Sequence, residues 1–530
     1  MEDYFLLIKM LVFSLVSVIL YLVLRVVHVY WVRPRSLEKQ LRKQGIRGRS
    51  YKLFHDDMKE MSTSSREAWS KPMSLNHQIA PRVLPYFHQM IQKHGKVSLG
   101  WMETRPRLIV TDPELIKDIL VNKNGHFVLQ PVNPLVKLLQ LGVSTLEGEQ
   151  WAKRKRIIKP AFHIEKLKCM EASFVTSYSG MIDRWKKLIG VEASREVDVA
   201  PEFQKMATDV IARTAFGSSF EEEKLFELQR KQAALSREAY YGFYFPGLRR
   251  GDADFVKKQL VFCFLCRFIP TKKNRLRYRV DNEIKAILRA AIRKKEQAME
   301  NGEVGANNDL LGLLLEGKAQ EENSMTIEDV IEECKSFYFT GQETITTLLT
   351  WTMILLCMHP NWQEKAREEV FRVFGKKTPD LYDIKHLKIV SMILNEVLRL
   401  YPVVVLLFRH THQKTNVGGL SIPAGVDFVF PVLFLHHDPK YWGEDVEEFN
   451  PERFADGVGK ASKDEVVFFP FGLGPRTCIG QTFAGFETKV ALAMILQHFS
   501  FELSPSYTHA PVMSISVKPK HGAPIILHRI

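Results

Sequence analysis

Cysteine is scarce and scattered in this chain, with six residues among 530. Small secreted domains that are held together by disulfides carry many closely spaced cysteines, so that class is excluded. Hydrophobic residues make up 45% and charged residues 25% of the chain, which excludes wholesale disorder, a collagen-like repeat and a polytopic membrane protein. No Gly/Ser-rich linker, low-complexity block or internal repeat divides residues 52–530. The bulk of the chain therefore indicates a globular protein of a reducing compartment.

The formal net charge is +14, and half of this excess lies in the first tenth of the chain. Residues 1–52 hold ten basic and three acidic residues together with an uncharged apolar run, residues 10–24. A fifteen-residue helix spans only ~22 Å of a ~30 Å hydrocarbon core, but Lys9 can reach toward the interface, which makes residues 4–24 a plausible span. The basic cluster follows the apolar run, and no small-residue cleavage site is evident. Both features favour an uncleaved signal anchor over a cleaved signal peptide.

The charges around this run also predict its orientation. Acidic residues before it and basic residues after it place the rest of the chain in the cytosol. The surplus charge fits a membrane surface, and we expect no nucleic-acid partner because nothing resembles a base-reading module. We assign residues 1–32 to a membrane anchor, 33–52 to a basic juxtamembrane hinge and 53–530 to a single large domain.

The remaining pattern is mostly helical. Residues 327–357 are predicted to form a long helix that Thr326 caps and Pro360 ends. A second helix covers residues 390–400, and a final one begins near Cys478. Short β-like runs cover residues 403–408 and 426–432. The fold class is therefore mainly α, a large helical domain with a small β-rich portion.

The most informative segment is residues 471–480, Phe-Gly-Leu-Gly-Pro-Arg-Thr-Cys-Ile-Gly. Glycine and proline fix a tight loop, and Cys478 lies where the next helix starts. Free N–H groups and the positive helix end lower the pKa of a thiol there, and a thiolate on haem iron favours O–O cleavage. A lone cysteine beside such a turn would more often be structural. The fixed spacing of Phe471, Arg476 and Cys478 favours the haem ligand.

This segment resembles the haem-binding signature Phe-x-x-Gly-x-Arg-x-Cys-x-Gly of the cytochrome P-450 superfamily. The resemblance covers essentially the whole chain, and its detail is similar to a plant microsomal family that includes secologanin synthase and triterpenoid oxidases. That detail lies in residues 44–48, 134–139, 209–219, 506–511 and 522–524. The resemblance implies the cytochrome P-450 fold with an N-terminal transmembrane helix. It also implies Cys478 as the axial ligand of heme b, next to Phe471 and a propionate-binding Arg476.

Residues 340–344, Thr-Gly-Gln-Glu-Thr, lie in the middle of the long predicted helix. A glycine there destabilises a helix by up to ~1 kcal/mol, so either the helix opens over a ligand or the glycine packs closely against a neighbour. The resemblance implies an oxygen-activating groove in which Thr344 holds the hydrogen-bond network and Glu343 supplies protons. Thr340 and Ile345 depart from the family pattern of a small residue and a second Thr or Ser, which would reshape this groove.

The resemblance implies three further contacts to the haem propionates. Arg409 occupies a propionate-binding position, and Trp151 begins the pattern Trp-x-x-x-Arg. Lys155 stands at the arginine position and lacks the bidentate fork, so its contact is expected to be weaker or to pass to Arg156. A solvated basic face that meets an acidic reductase is a compatible interpretation of residues 151–156.

Glu396 and Arg399 are spaced i,i+3 on one predicted helix. In isolation they would be an exposed pair that contributes ~0.3 kcal/mol. The resemblance implies instead a buried network with Arg453, from residues 449–454, that holds the haem-binding core. Removal of one partner would then cost ~3–5 kcal/mol.

The implied activity is that of a haem-thiolate monooxygenase that inserts one oxygen atom of O₂ into a lipophilic substrate. A terpenoid is expected, whether triterpenoid, iridoid or diterpenoid hormone. Its electrons come from NADPH through NADPH-cytochrome P-450 reductase, with cytochrome b5 as a second donor, and NADPH is not bound directly. The implied location is the endoplasmic reticulum membrane, single-pass, with the catalytic domain facing the cytosol.

Two other functions stay open. A hydroperoxide isomerase on the same fold needs no O₂ activation, so the Glu343-Thr344 pair counts against it. A catalytically impaired, membrane-anchored haem protein that acts by binding is kept open by four departures from the family pattern: Lys155, Thr340, Ile345 and Val403, where a second proline is usual. Substrate contacts are expected in residues 131–141, 237–247, 337–340 and 403–408.

Overall fold

The computed structural model describes residues 2–53, 57–131, 134–139, 141–217, 222–241, 272–302, 309–320, 325–463 and 466–530. The chain divides into two compact units. The first comprises Met1–Ser64, Tyr86–Gln130 and Phe408–Pro431, and the second comprises Ser65–Pro85, Pro131–Leu407 and Val432–Ile530. The long helix and the cysteine loop that the sequence singles out both belong to the second unit.

Helices dominate the described residues, as the sequence predicts. They are α1 (Glu2–Val27), α2 (Arg33–Arg42), α3 (Asp57–Ser70), α4 (Ala80–Val83), α5 (Pro85–His94), α6 (Pro113–Val121), α7 (Pro134–Lys137), α8 (Gly148–Ile158), α9 (Ile164–Cys169), α10 (Glu171–Ile189), α11 (Val199–Phe216), α12 (Glu222–Tyr241), α13 (Lys272–Glu300), α14 (Leu310–Gln320), α15 (Ile327–Met358), α16 (Pro360–Phe374), α17 (Lys388–Leu400), α18 (Val432–His436), α19 (Pro439–Trp442) and α20 (Gln481–His498).

The N-terminal apolar run forms α1, and a π-helical turn, His28–Val32, leads from it into α2. Among the described residues, the stretch Asp3–Arg42 is the helix that is long and apolar enough to cross a membrane, and no part of its apolar window is buried. Pro34 lies in the first turn of α2, where a missing N–H breaks no helical hydrogen bond. Residues 33–42 of the expected hinge are therefore helical.

Helix α15 is the long helix that the sequence predicts. The Thr326 hydroxyl accepts a hydrogen bond from the Asp329 N–H, and the Asp329 carboxylate accepts one from the Thr326 N–H, which forms a capping box. The helix ends at Met358, and Pro360 begins α16. No opening occurs at Gly341: a Cβ there would lie 2.9 Å from Ile211 Cδ1 of α11. Close packing against α11, and not an opened helix, explains this glycine.

The β portion is small. A six-stranded sheet has the order β1 (Arg47–Gly48), β2 (Val97–Met102), β3 (Arg105–Val110), β9 (Asp427–Pro431), β6 (Leu406–Thr411) and β4 (Phe127–Val128). Strands β7 (Thr415–Val417) and β8 (Leu420–Ile422) form a hairpin. In the second unit, β10 (Phe499–Leu503), β13 (Pro524–Arg529) and β5 (Ser194–Asp198) are antiparallel. Strands β11 (Pro511–Met513) and β12 (Val517–Pro519) form another hairpin.

The centre of the second unit is α15, which packs against α11, α17 and α20. Its side chains include the fully buried Tyr338 and Trp351. Helix α20, which follows the cysteine loop, and α17, which carries Glu396, both pack on α15. The loop and the Glu396 segment are therefore assembled around one helix.

Candidate active site

The loop before α20 is built as its glycines and proline predict. The Cys478 N–H donates to the Phe471 carbonyl at 2.8 Å, and a 3-10 turn covers Gly474–Arg476. Gly472 and Gly474 have φ values of 81° and 76°, which side chains with a Cβ rarely adopt. Helix α20 then begins at Gln481, three residues after Cys478. The sequence therefore locates both the loop and the start of the following helix.

Cys478 has a free thiol that lines a cavity of about 300 Å³. Burial raises the pKa of this thiol, while the N–H of Gly480 acts in the opposite direction. The backbone donor at the helix start lowers the thiol pKa in the direction that the sequence predicts, and desolvation by the cavity walls opposes it.

The cavity, called the thiol cavity below, has mostly apolar and aromatic walls. One wall is the face of α15 that carries Gly341, Thr344 and Ile345. The expected substrate ranges contribute Phe337, Thr340, Val403, Val404 and Leu407, while residues 132–133, 140 and 242–247 lie outside the described residues. The other large side chains around Cys478 are Phe162, Phe469, Phe471 and Phe483.

Thr344 lies on the cavity wall with its hydroxyl donating to the Thr340 carbonyl at 2.8 Å. The Thr340 hydroxyl in turn donates to the Ser336 carbonyl at 2.7 Å. Both hydroxyls keep free lone pairs for a further donor. Ile345 is buried on the same wall. Thr340 and Ile345, which depart from the family pattern, therefore both line the cavity.

Glu343 does not share this wall. Its carboxylate accepts a hydrogen bond from the Ser516 hydroxyl at 2.7 Å and pairs with Lys518 at 2.8 Å. It lines a second cavity of about 200 Å³, which we call the polar cleft, together with Gln342, Arg230 and Arg237. The two candidate catalytic residues, adjacent in sequence, thus face different cavities.

Arg476, Trp151 and Lys155 are brought together beside the cysteine loop. The Arg476 guanidinium lies 4.4 Å from the centre of the Trp151 ring and donates to the Glu147 carboxylate at 2.6 Å. The Lys155 ammonium donates to the Pro475 carbonyl at 2.6 Å. Arg156 is exposed, and whether Lys155 or Arg156 contacts a propionate stays a prediction.

Arg154, in the same basic stretch, has a role that the sequence did not predict. Its guanidinium is buried and pairs with Glu333 and Asp329 of α15 at 3.0 and 3.1 Å. Glu333 also accepts from the Val143 N–H at 2.8 Å. Only part of residues 151–156 is therefore a solvated basic face. The one sequence feature that points to this pairing is the carboxylate of Glu333, since a charged residue in an apolar-rich helix needs a partner of opposite charge.

Arg409 lies on β6 in the first unit, where it is buried and donates to the carbonyl of Phe408 at 2.8 Å. Its role toward a propionate stays a prediction.

The Glu396 network has the partners that the resemblance implies. Glu396 and Arg399 are joined by two hydrogen bonds of 2.7 Å, and neither side chain is accessible. Arg453 approaches Glu396 at 3.6 Å and donates to the Trp442 carbonyl at 2.8 Å. The Asn450 N–H supplies one further donor to Glu396 at 2.9 Å. The i,i+3 pair is thus a buried network and not an exposed pair.

The residues around the thiol cavity fit a haem group. Apolar and aromatic walls suit the porphyrin face, one cavity-lining thiol can serve as a soft iron ligand, and Arg476 supplies a cation at the cavity wall for a carboxylate. Among the described residues, no group of three or more His, Cys, Asp and Glu side chains is placed to hold a metal ion.

Comparison with known proteins identifies the family. Residues 74–523 match the family model described as Cytochrome P450. The chain is 50% identical to "Cytochrome P450 CYP72A616" of Paris polyphylla over 509 residues, covering 94% of this chain and 95% of the relative. It is 44% identical to "Secologanin synthase 1" of Catharanthus roseus and to "11-oxo-beta-amyrin 30-oxidase" of Glycyrrhiza uralensis, each covering 96% of this chain and 95% of the relative.

The chain belongs to the cytochrome P450 family. It is an oxidoreductase of the monooxygenase type, and the fold and family that the sequence predicts are confirmed. Its relatives also include a "7-deoxyloganic acid hydroxylase" of Catharanthus roseus, and its family implies haem iron.

Proposed function

We propose that this protein is a membrane-anchored haem-thiolate monooxygenase that hydroxylates or oxidises a terpenoid. The observation that carries the proposal is that Cys478 and Thr344, on separate elements, line the same apolar cavity. An impaired relative that acts by binding alone would have no need of both residues at one cavity.

In this proposal Cys478 would supply the thiolate that binds the iron of heme b, and Arg476, Lys155, Trp151, Phe471 and Arg409 would hold the cofactor. Haem with a thiolate ligand, when bound, activates dioxygen. The apolar walls exclude water and hold the lipophilic substrate. The Thr344 hydroxyl orients the proton-donating network on its cavity wall, and the Glu343 carboxylate supplies protons to that network. The buried Glu396, Arg399 and Arg453 stabilise the surrounding structure.

The substrate class follows from the relatives and from the cavity. The relatives include a secologanin synthase and an 11-oxo-beta-amyrin 30-oxidase, names that indicate terpenoid chemistry, and the apolar walls of the thiol cavity suit a substrate of that class. The exposed basic residues Lys153 and Arg156 of α8 form a face that suits an acidic electron donor. We therefore assign NADPH-cytochrome P-450 reductase, with cytochrome b5 as a second donor, as partners. The apolar α1 is assigned as a single-pass anchor in the endoplasmic reticulum membrane, with the catalytic domain facing the cytosol.

The test begins with microsomes of a heterologous host that co-expresses the full chain and a reductase. A red-shifted Soret band in the carbon-monoxide difference spectrum is expected, and NADPH-dependent products are then sought with oleanane triterpenoids and iridoid acids by mass spectrometry. Thr344→Ala should retain the red-shifted band but release more hydrogen peroxide per NADPH consumed. A stable red-shifted band without NADPH consumption, with any substrate of the panel, would contradict the monooxygenase proposal and favour a binding role.

A further inference from the structure

Glu343 is held by the β11–β12 hairpin, through Ser516 and Lys518, which lie 173 and 175 residues away in the sequence. The Ser516 hydroxyl donates to one carboxylate oxygen of Glu343 at 2.7 Å, and the Lys518 ammonium donates to the other at 2.8 Å. Both oxygens of the carboxylate therefore have a donor from the same short hairpin. This arrangement fixes the rotamer of Glu343 as well as the location of its charge.

The hairpin itself is anchored along α15. The Ser516 hydroxyl also bonds the Thr347 hydroxyl at 2.8 Å, and the Trp351 indole N–H donates to the Val517 carbonyl at 2.7 Å. Glu343, Thr347 and Trp351 are spaced i, i+4 and i+8, so they lie one above another on one helix stripe. Three successive turns of α15 thus bind the same hairpin.

The ion pair is screened on one side only. The Glu343 side chain is largely buried, at 13% accessible, while Lys518 is 36% accessible, so water and salt reach the pair from the Lys518 side. Ser516, Thr347 and Trp351 are buried, so these residues hold the hairpin in place. The Lys518 contact is therefore better explained by its effect on the orientation of the Glu343 carboxylate.

The polar cleft gives that carboxylate a specific environment. Arg230 and Arg237 on α12 and Lys518 on the hairpin are its cationic lining residues, and Gln204, Gln342 and Ser514 are among its polar ones. Glu343 is the carboxylate among them. Thr344, the next residue, lines the thiol cavity instead. A proton that moves from the cleft to the thiol cavity would cross α15 at these two residues.

We propose that Ser516 and Lys518 are positioning residues that orient the Glu343 carboxylate in the polar cleft, where it takes up the protons that the Thr344 side of α15 consumes. The step is a proton transfer without any change of oxidation state: a hydronium proton from bulk solvent, relayed by water in the cleft, binds a Glu343 oxygen, and the carboxylate is regenerated when that oxygen passes the proton to the hydrogen-bond network of Thr344. The inference rests on the proposed function, in which Glu343 is the proton source.

The experiment compares the full-length holoenzyme with Lys518→Met, Lys518→Arg and Ser516→Ala, and with Glu343→Gln as reference. Lys520→Met is the matched control, because Lys520 lies next to β12, is exposed, and its ammonium donates to the Trp69 carbonyl at 3.1 Å and not to Glu343. The solvent deuterium isotope effect on reductase-supported NADPH consumption is measured for each protein, with a saturating oleanane triterpenoid as the probe. Hydrogen exchange of residues 511–519 in the resting protein is the second measurement, since it does not depend on turnover.

Lys518→Met is expected to raise the solvent isotope effect at least twofold and to slow turnover several-fold, with the substrate dissociation constant unchanged. Lys518→Arg should restore both values, and Ser516→Ala should raise the isotope effect and the exchange of the hairpin. Lys520→Met should match the native enzyme in every measurement.

Two outcomes would overturn the proposal in different ways. A native isotope effect in both Lys518→Met and Ser516→Ala, with a raised one in Glu343→Gln, would refute the role of the hairpin and leave Glu343 as the proton source. A native isotope effect in Glu343→Gln would remove the proton role of Glu343 from the proposed function, and the inference would fall with it. Should Lys518→Met not fold, Ser516→Ala tests the same positioning, because it leaves the ion pair in place.

Discussion

Glu396 and Arg399 form a bidentate ion pair one turn apart on α17, with both side chains inaccessible to water. The remaining donors of Arg399 reach the carbonyls of His436, Val446 and Glu448. The guanidinium therefore ties α17 to the segment that leads to Arg453. A pair with this geometry is costly to bury and more costly to break, because either partner alone would be an uncompensated charge.

The first prediction concerns this pair. Arg399→Met should lower the free energy of unfolding by about 3–5 kcal/mol, because Glu396 would keep a buried charge without its main partner. The measurement is thermal unfolding of the detergent-solubilised protein. The yield of haem-containing protein is a second measurement. The matched control is Glu364→Gln on α16, which removes an i,i+3 pair with Arg367 in which Glu364 is 62% accessible and should cost about 0.5 kcal/mol or less. Equal losses in the two variants would contradict a buried network.

The second prediction concerns the thiol ligand. Cys478→Ala should abolish the red-shifted band in the carbon-monoxide difference spectrum, because the cavity wall would offer no thiol to the iron. Cys169→Ala, at an exposed cysteine on α9, should retain the band at native intensity. A red-shifted band in the Cys478 variant would show that another residue ligates the iron.

The third prediction concerns Lys155. Its ammonium donates to the Pro475 carbonyl within the cysteine loop, so Lys155→Met should loosen the loop and increase the rate of haem loss several-fold. Lys155→Arg should stay near the native rate, because a guanidinium can make the same hydrogen bond. Transfer of haem to an apoprotein acceptor measures the rate, and Lys153→Met, at an exposed neighbour, serves as the control. Haem loss at the native rate in Lys155→Met would contradict the role of this contact.

Local chemistry explains what could be predicted from the sequence. The capping box of Thr326, the stop at Pro360 and the glycine-rich loop before α20 depend on residues close together in the chain, and all three are present. The signature spacing locates Cys478 for the same reason. These features need no knowledge of distant contacts.

What could not be predicted depends on partners far away in the sequence. The orientation of Glu343 is set by Ser516 and Lys518, and the need for Gly341 comes from Ile211 of α11. The thiol pKa of Cys478 is raised by burial that only the assembled walls provide. In each case a local pattern fixed the residue type, while tertiary packing decided its environment.

The final prediction concerns the buried carboxyl of Glu333. Burial raises its pKa from 4.5 to about 7, although Arg154 and the Val143 N–H act in the opposite direction and Asp329 adds to the increase. The folded protein therefore binds more protons than the unfolded chain between these two pH values. The stabilisation from this group is fully present below about pH 4.5 and is lost as the pH rises through about 7.

Replacing this group should therefore change how stability depends on pH. Glu333→Gln keeps an acceptor for the Val143 N–H but cannot ionise, so its melting temperature should fall less than that of the native protein between pH 5 and pH 8. The difference corresponds to about 3 kcal/mol at most, since one pKa unit is worth ~1.4 kcal/mol. Glu149→Gln, at an 84% accessible carboxylate, should leave the native pH dependence in place. If the melting temperatures of the native protein and Glu333→Gln change by the same amount between pH 5 and pH 8, Arg154 keeps Glu333 ionised throughout this range.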